Sequence, residues 1–175
     1  MKKIVVLSVF VMFLSFAAFA QAGSGYISIL PGYQFSSGDV DSSFVMSLDG
    51  GYFFNDNWGL HLGVMYDEGK FDFGKVLLPT VPPTWKELKY SDSFYIFEIG
   101  PELAGQVGKG QMYWQIVNVG YTTGLDKNEW TYGTAVGYRY PINDKWGFNV
   151  QGAYHRIDNL DTNHWDLRLG FTYKF

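Results

Sequence analysis

From residue 25 onward the sequence is written in runs where large apolar side chains alternate with small or polar ones, and these runs are long. The last, Trp165-Asp166-Leu167-Arg168-Leu169-Gly170-Phe171-Thr172-Tyr173-Lys174-Phe175, shows the pattern plainly. Period two places Trp165, Leu167, Leu169, Phe171, Tyr173 and Phe175 on one face, with Asp166, Arg168, Thr172 and Lys174 behind them. Counting it, eight runs cover approximately 25–36, 43–54, 58–67, 92–104, 111–121, 129–140, 145–157 and 164–175. Runs of roughly 10 to 13 residues exceed the usual soluble strand of about 5 to 6 and suit a tilted strand crossing a bilayer. The expected fold is all-β: an eight-stranded antiparallel up-and-down transmembrane β-barrel.

The connections alternate in length. Asn55-Asp56-Asn57, Pro141-Ile142-Asn143-Asp144 and the stretch 105–110 read as short turns, whereas 68–91 is long and contains prolines. Short turns at one end and longer loops at the other are the outer-membrane arrangement, with the short turns periplasmic; eight strands then put both termini at that end. A weak repeat agrees. Gly51-Tyr52-Phe53-Phe54 with Asn55-Asp56-Asn57-Trp58-Gly59-Leu60 recurs as Gly137-Tyr138-Arg139-Tyr140 with Asn143-Asp144-Lys145-Trp146-Gly147-Phe148, one hairpin written twice.

The N-terminus supplies an export address. Lys2 and Lys3 precede an apolar run from Ile4 to Phe19, and Ala18-Phe19-Ala20 or Ala20-Gln21-Ala22 offers the small residues a signal peptidase reads. Residues 1–22 are thus expected to be a cleaved secretory signal peptide, leaving 23–175 as one barrel domain. Losing Lys2 and Lys3 takes the 13 basic residues to 11 against 17 acids, net −6, which argues against nucleic acid as a partner. Cysteine is absent, so disulfide, zinc–thiolate and thiol chemistry are excluded.

Alternation alone does not say which face lies inside, because a soluble barrel alternates too. Three features point to lipid outside. Aromatics on the apolar face sit near strand ends (Trp58 and Tyr66, Trp130 and Tyr140, Trp146 and Tyr154), with aliphatics such as Leu60, Leu62, Val64, Val136 and Val150 between them, as interfacial girdles require. The opposite face carries Gly51, Gly59, Gly63, Gly133, Gly137, Gly147 and Gly170, which suits a crowded interior. Its charges, Asp49, Glu98, Glu102, Arg139, Asp166 and Arg168, are of both signs, as expected where they must neutralise one another.

With these residues in view, the chain resembles the small eight-stranded OmpA/OmpX-type outer-membrane barrels over its whole mature length. The resemblance rests on the Asn-Asp-x-Trp-Gly turns at Asn55 and Asn143 and on the terminal Gly170-Phe171-Thr172-Tyr173-Lys174-Phe175. It implies an outer-membrane location in a Gram-negative bacterium, contact with outer-membrane lipid and lipopolysaccharide, and recognition of Phe171, Tyr173 and Phe175 by the barrel assembly machinery. The family's functions range over adhesion, envelope stability and lipid A modification, and the fold does not choose among them.

Candidate sites follow from parity and composition. Asp49, Glu98, Glu102, Arg139 and Arg168 form an expected lumenal charge network, with depth matching Glu98 to Arg168 and Glu102 to Arg139. A divalent-metal site can be drawn from His155 and His164 with Asp158, Asp161 and Asp166, but the blander reading is a hydrogen-bonded polar lumen, and no metal or cofactor is expected. A lipid A hydrolase fits poorly, since the lipid-facing wall lacks His and no Gly-x-Ser-x-Gly elbow is present. Eight strands leave an interior that side chains nearly fill, which counts against a pore. The loop 68–91 combines Lys70, Lys75, Lys86 and Lys89 with Trp85 and other apolar residues, stiffened by Pro79, Pro82 and Pro83. It is expected to be a long surface loop that contacts lipopolysaccharide phosphates or an extracellular protein, the alternative being that Phe71 and Phe73 extend the third strand above the membrane and the rest is a mobile lid. The functional expectation is a monomeric, non-enzymatic structural or surface-interaction protein, with a small ion channel or a lipid A-modifying enzyme as alternatives.

Overall fold

The computed structural model describes residues 24–37, 40–41, 43–78, 84–123, 129–158 and 162–175. The signal-peptide expectation for 1–22 falls outside the described residues. Strands β1 (Ser24–Ser37), β3 (Ser43–Phe53), β4 (Trp58–Leu78), β5 (Thr84–Val107), β6 (Gly110–Thr123), β7 (Glu129–Pro141), β8 (Trp146–Ile157) and β9 (Thr162–Lys174) form the barrel wall, and a two-residue β2 (Val40–Asp41) flanks β4. Every wall strand pairs antiparallel with its chain neighbours, and β1 pairs with β9, so the ladder closes on itself. Closure matters because a bilayer core offers no water to satisfy a free strand edge.

The period-two alternation sorts the side chains as the sequence implies. On β9, Trp165, Leu167, Leu169 and Phe171 are exposed while His164, Asp166, Arg168 and Thr172 are buried. The girdle aromatics pair across strands: Trp146 lies edge-on to Tyr173 at 5.1 Å, Tyr154 meets Trp165 at 4.7 Å, and Tyr121 meets Trp130 at 5.7 Å. An outward apolar wall around a polar interior is stable only in lipid. Among the described residues no helix is long and apolar enough to cross a membrane; the crossing is made by strands.

The repeated hairpin is built the same way twice. Asn55 Oδ1 accepts the amides of Asn57 and Trp58, and Asn143 Oδ1 accepts those of Lys145 and Trp146, so each asparagine folds its own turn. The third short turn, between Val107 and Gly110, places Gly108 at φ 61°, the left-handed region glycine tolerates.

One expectation is corrected. Residues 68–78 and 84–91 are strand and not loop, which extends the strand past Phe71 and Phe73: β4 and β5 run to 21 and 24 residues, and their ladder continues, with a bulge between Asp72 and Lys75, from Trp58 opposite Leu103 to Leu78 opposite Thr84. Phe71, Phe73, Val76, Leu77, Trp85 and Tyr90 are good strand formers. Pro79, Pro82 and Pro83 lie outside the described residues.

A closed ladder of this kind is expected to resist SDS at room temperature. The folded and boiled forms should therefore run at different apparent masses on a gel, and a chain that stays soluble without detergent and shows no such shift would contradict the membrane fold.

Candidate functional site

The interior is layered. Near the short turns Tyr26, Phe53, Ala104 and Tyr113 form an apolar cluster; toward the opposite strand ends Val45, Met65, Phe94, Ile96 and Ile157 form another. Between and beside them sit the buried polar residues, among them Ser28, Asp49, His61, Glu98, Gln115, Asn149, Gln151 and Arg168. The expected interior was polar throughout, so both apolar clusters were missed. They share the lumenal parity of their polar neighbours (Tyr26 with Ser28, Tyr113 with Gln115), and parity was the signal available.

In the lower layer Arg139 Nη1 donates to Glu102 Oε1 at 2.7 Å and Nη2 to Oε2 at 3.0 Å, a bidentate pair. The guanidinium is sandwiched between the Tyr26 and Tyr113 rings, each centroid 3.7 Å from Cζ, and the Tyr26 hydroxyl donates to Glu102 as well. Gly51 and Gly137 leave the space these rings fill, since a Cβ at either position would overlap Tyr26 or Tyr113. The structure thus brings Glu102 and Arg139 together across the lumen.

Arg168 differs from the expectation. It is held by Asp166, with Nε donating to Oδ1 at 2.6 Å and Nη2 to Oδ2 at 2.9 Å, and not by Glu98. Asp166 lies two residues away on the same face of β9, so it meets the guanidinium without a reach across the lumen. His155 Nε2 stands 2.8 Å from Arg168 Nη2 and 3.3 Å from Asp166, and its Nδ1 is 3.6 Å from Glu98. His155 and His164 are direct cross-strand partners, but Arg168 occupies the side of His155 where an ion would sit, and His164 Nδ1 meets the Gln34 amide at 2.7 Å. Asp158 is exposed and Asp161 is outside the described residues. Among the described residues the metal set drawn around the histidine pair is not assembled. All three histidines are buried, at 2% exposure or less, so among the described residues the lipid-facing wall carries none.

At the other candidate site, the ribbon made by β4 and β5 beyond the barrel, the backbone register sets the charge pattern. Lys89 stands opposite Asp72 and Lys75 opposite Glu87, while Lys70 faces Ser91 on one side and Asp41 of β2 on the other; Lys86 faces Val76 and Trp85 faces Leu77. With Glu68, the segment 68–91 holds four lysines and three acids, net +1. Phe171 is exposed, Tyr173 packs on Trp146, and Phe175 exchanges two 3.1 Å backbone hydrogen bonds with Gly25, which fastens the end of the β1–β9 seam.

A closed eight-stranded antiparallel barrel with an apolar outer wall, aromatic girdles and a packed polar interior defines a small outer-membrane protein of Gram-negative bacteria. The chain belongs to the outer membrane protein beta-barrel domain family, whose model matches residues 6–175. Among solved structures it is similar to the outer membrane protein OprG from Pseudomonas aeruginosa, at 19% identity and a TM-score of 0.65, covering 88% of this chain and 96% of that one. It is also similar to Neisserial surface protein A, at 13% identity, TM-score 0.59 and coverage of 87% and 99%. A third is Ail, the attachment invasion locus protein of Yersinia pestis, in complex with the heparin analogue sucrose octasulfate, at 15% identity, TM-score 0.54 and coverage of 87% and 99%. At these identities the likeness establishes the fold alone. No curated protein matches the chain in sequence.

Proposed function

We propose that this is a non-enzymatic outer-membrane protein with a structural and surface-interaction role, and that the β4–β5 ribbon is its contact surface. The observation that carries the reading is the ladder itself. From Glu68 opposite Ser93 to Leu78 opposite Thr84 it pairs nine further β4 residues, with a bulge between Asp72 and Lys75, over about 35 Å of strand beyond the last pairings of β3 with β4 and of β5 with β6. A paired ribbon presents side chains at fixed spacing with less ordering cost than an irregular loop of equal length. Its partner is proposed to be an extracellular protein or the lipopolysaccharide layer around it. The net charge of +1, with two lysines standing opposite acids, makes a densely anionic ligand such as the heparin analogue bound by Ail a weaker fit than a mixed polar and apolar surface. Recognition of Phe171, Tyr173 and Phe175 by the assembly machinery and the monomeric state belong to the same proposal.

The test is a ribbon-shortened variant, with residues 70–91 replaced by an Asn-Gly turn, compared with the full protein for binding to host-cell or matrix surfaces, bilayer conductance and lipid A mass. The expected result is loss of surface binding to background while the gel shift, the conductance and the lipid A mass stay as they were. Unchanged binding would sink the reading. A change in conductance would transfer the role to a pore, and a change in lipid A mass to an enzyme.

A further inference from the structure

We infer a divalent transition-metal site inside the barrel, formed by Asp49 of β3, His61 of β4 and Glu98 of β5. The three residues come from adjacent strands, and each offers a ligand atom within 4.8 Å of the other two. Register explains how they converge. Asp49, Gly63 and Glu98 are cross-strand partners in a single row, so the two carboxylates flank a position with no side chain. His61 occupies the next row down between Gly51 and Gly100, again with glycine on both sides. The imidazole and both carboxylates therefore share one space, and a Cβ at Gly63 would come to 3.1 Å from Asp49 Oδ1 and from Glu98 Oε1.

The donor atoms are buried without hydrogen bonds; outside the trio, His155 Nδ1 stands 3.6 Å from Glu98 Oε2, beyond hydrogen-bond reach. Both ring nitrogens of His61, Asp49 Oδ1 and Glu98 Oε2 lack a hydrogen-bond partner, although the residues are only 0%, 2% and 5% exposed. His61 Nε2 approaches Asp49 Oδ1 at 3.9 Å, too far for a hydrogen bond. A fully buried histidine with neither nitrogen engaged is costly, and a metal ion satisfies one nitrogen directly. Charge points the same way. Glu102 is neutralised by Arg139 and Asp166 by Arg168, whereas among the described residues Asp49 and Glu98 have no Lys or Arg within salt-bridge distance. Arg168 acts electrostatically on both acids, but its fork is committed to Asp166. With His61 and His155 neutral, the two carboxylates leave a local excess of two negative charges, which a divalent cation cancels.

One imidazole nitrogen with two carboxylate oxygens suits Zn²⁺ or a neighbouring first-row ion better than Mg²⁺ or Ca²⁺, which take oxygen shells. Tetrahedral ligation at about 2.1 Å puts donors about 3.4 Å apart, a contraction that carboxylate rotation beside Gly63 can supply. Apolar clusters lie toward both ends of the lumen, so the ion is captured as the barrel folds and then held.

The experiment refolds the full mature protein into detergent micelles with Zn²⁺, removes free ion by desalting into EDTA, and measures retained zinc. The wild type is expected to keep about one Zn²⁺ per barrel, and Asp49→Asn and Glu98→Gln, which preserve volume, to lose at least about tenfold in retention while still showing the SDS gel shift. His164→Gln, whose ring meets Gln34 and lies outside the trio, is expected to retain zinc like the wild type. Refolding with Co²⁺ supplies a second readout, the intense visible band of a four-coordinate ion, far stronger than that of aqueous Co²⁺, which both carboxylate variants should abolish. No zinc retained by the wild type, or equal retention in the folded Asp49→Asn and Glu98→Gln proteins, would overturn the site.

Discussion

Arg139→Ala is expected to lower the urea midpoint of the barrel in micelles by the equivalent of about 3 to 5 kcal/mol, since it leaves Glu102 buried and ionised with its cationic partner gone. The Tyr26 hydroxyl still donates to Glu102 but brings no charge. The guanidinium also fills the gap between the Tyr26 and Tyr113 rings, each 3.7 Å away, so truncation opens a void and forfeits stacking. The two contributions separate in a double-mutant cycle. Arg139→Met with Glu102→Gln keeps volume and removes both charges, and it should recover much of the loss, because a buried pair replaced together is far less costly than one broken. If Arg139→Ala unfolds at the wild-type midpoint, the interior is wet and the pair is worth what a surface pair is, about 0 to 1 kcal/mol.

The Arg139–Glu102 pair was legible in the sequence and the Arg168 partner was not, for a physical reason. Depth counting locates residues on distant strands to within one row, which suffices where one acid and one arginine share a level. At Arg168 two acids compete, Glu98 across the barrel and Asp166 on the same strand, and the choice between them is made by reach. Period two placed Asp49, His61 and Glu98 on the lumenal face, but it does not report that they fall on adjacent strands in consecutive rows; that depends on the register of β3, β4 and β5. The same limit hid the ribbon. Prolines and lysines between 68 and 91 read as a loop, whereas cross-strand pairing of Phe71 with Tyr90 and Leu77 with Trp85 carries the ladder onward.

Glycine is where the sequence was read for the right residue and the wrong cause. Gly170 was expected to spare room in the lumen, but it permits a backbone contact at the closing seam. Pro31 has no amide to give β9, and the β1–β9 register is interrupted there, passing from Ile29 opposite Phe171 to Gly32 opposite Arg168. In that interval β1 leans onto Gly170 so closely that a Cβ would overlap the Ile29 carbonyl oxygen and lie 3.1 Å from the Leu30 Cα. No rotamer relieves a clash with main chain. Gly170→Ala must therefore push β1 and β9 apart at the seam that closes the barrel, and it is expected to destabilise by about 1 to 3 kcal/mol or more, the range for overpacking a tight interior. Gly105→Ala is the matched control, because a Cβ there meets nothing within 4 Å and a strand glycine replaced by alanine loses less entropy on folding. The two alanines should separate cleanly, with Gly170→Ala losing its SDS gel shift at a lower temperature than wild type and Gly105→Ala at the same temperature or slightly higher. Equal melting of the two variants would mean that the seam is slack and that closure at Pro31 does not depend on the absence of a side chain at position 170.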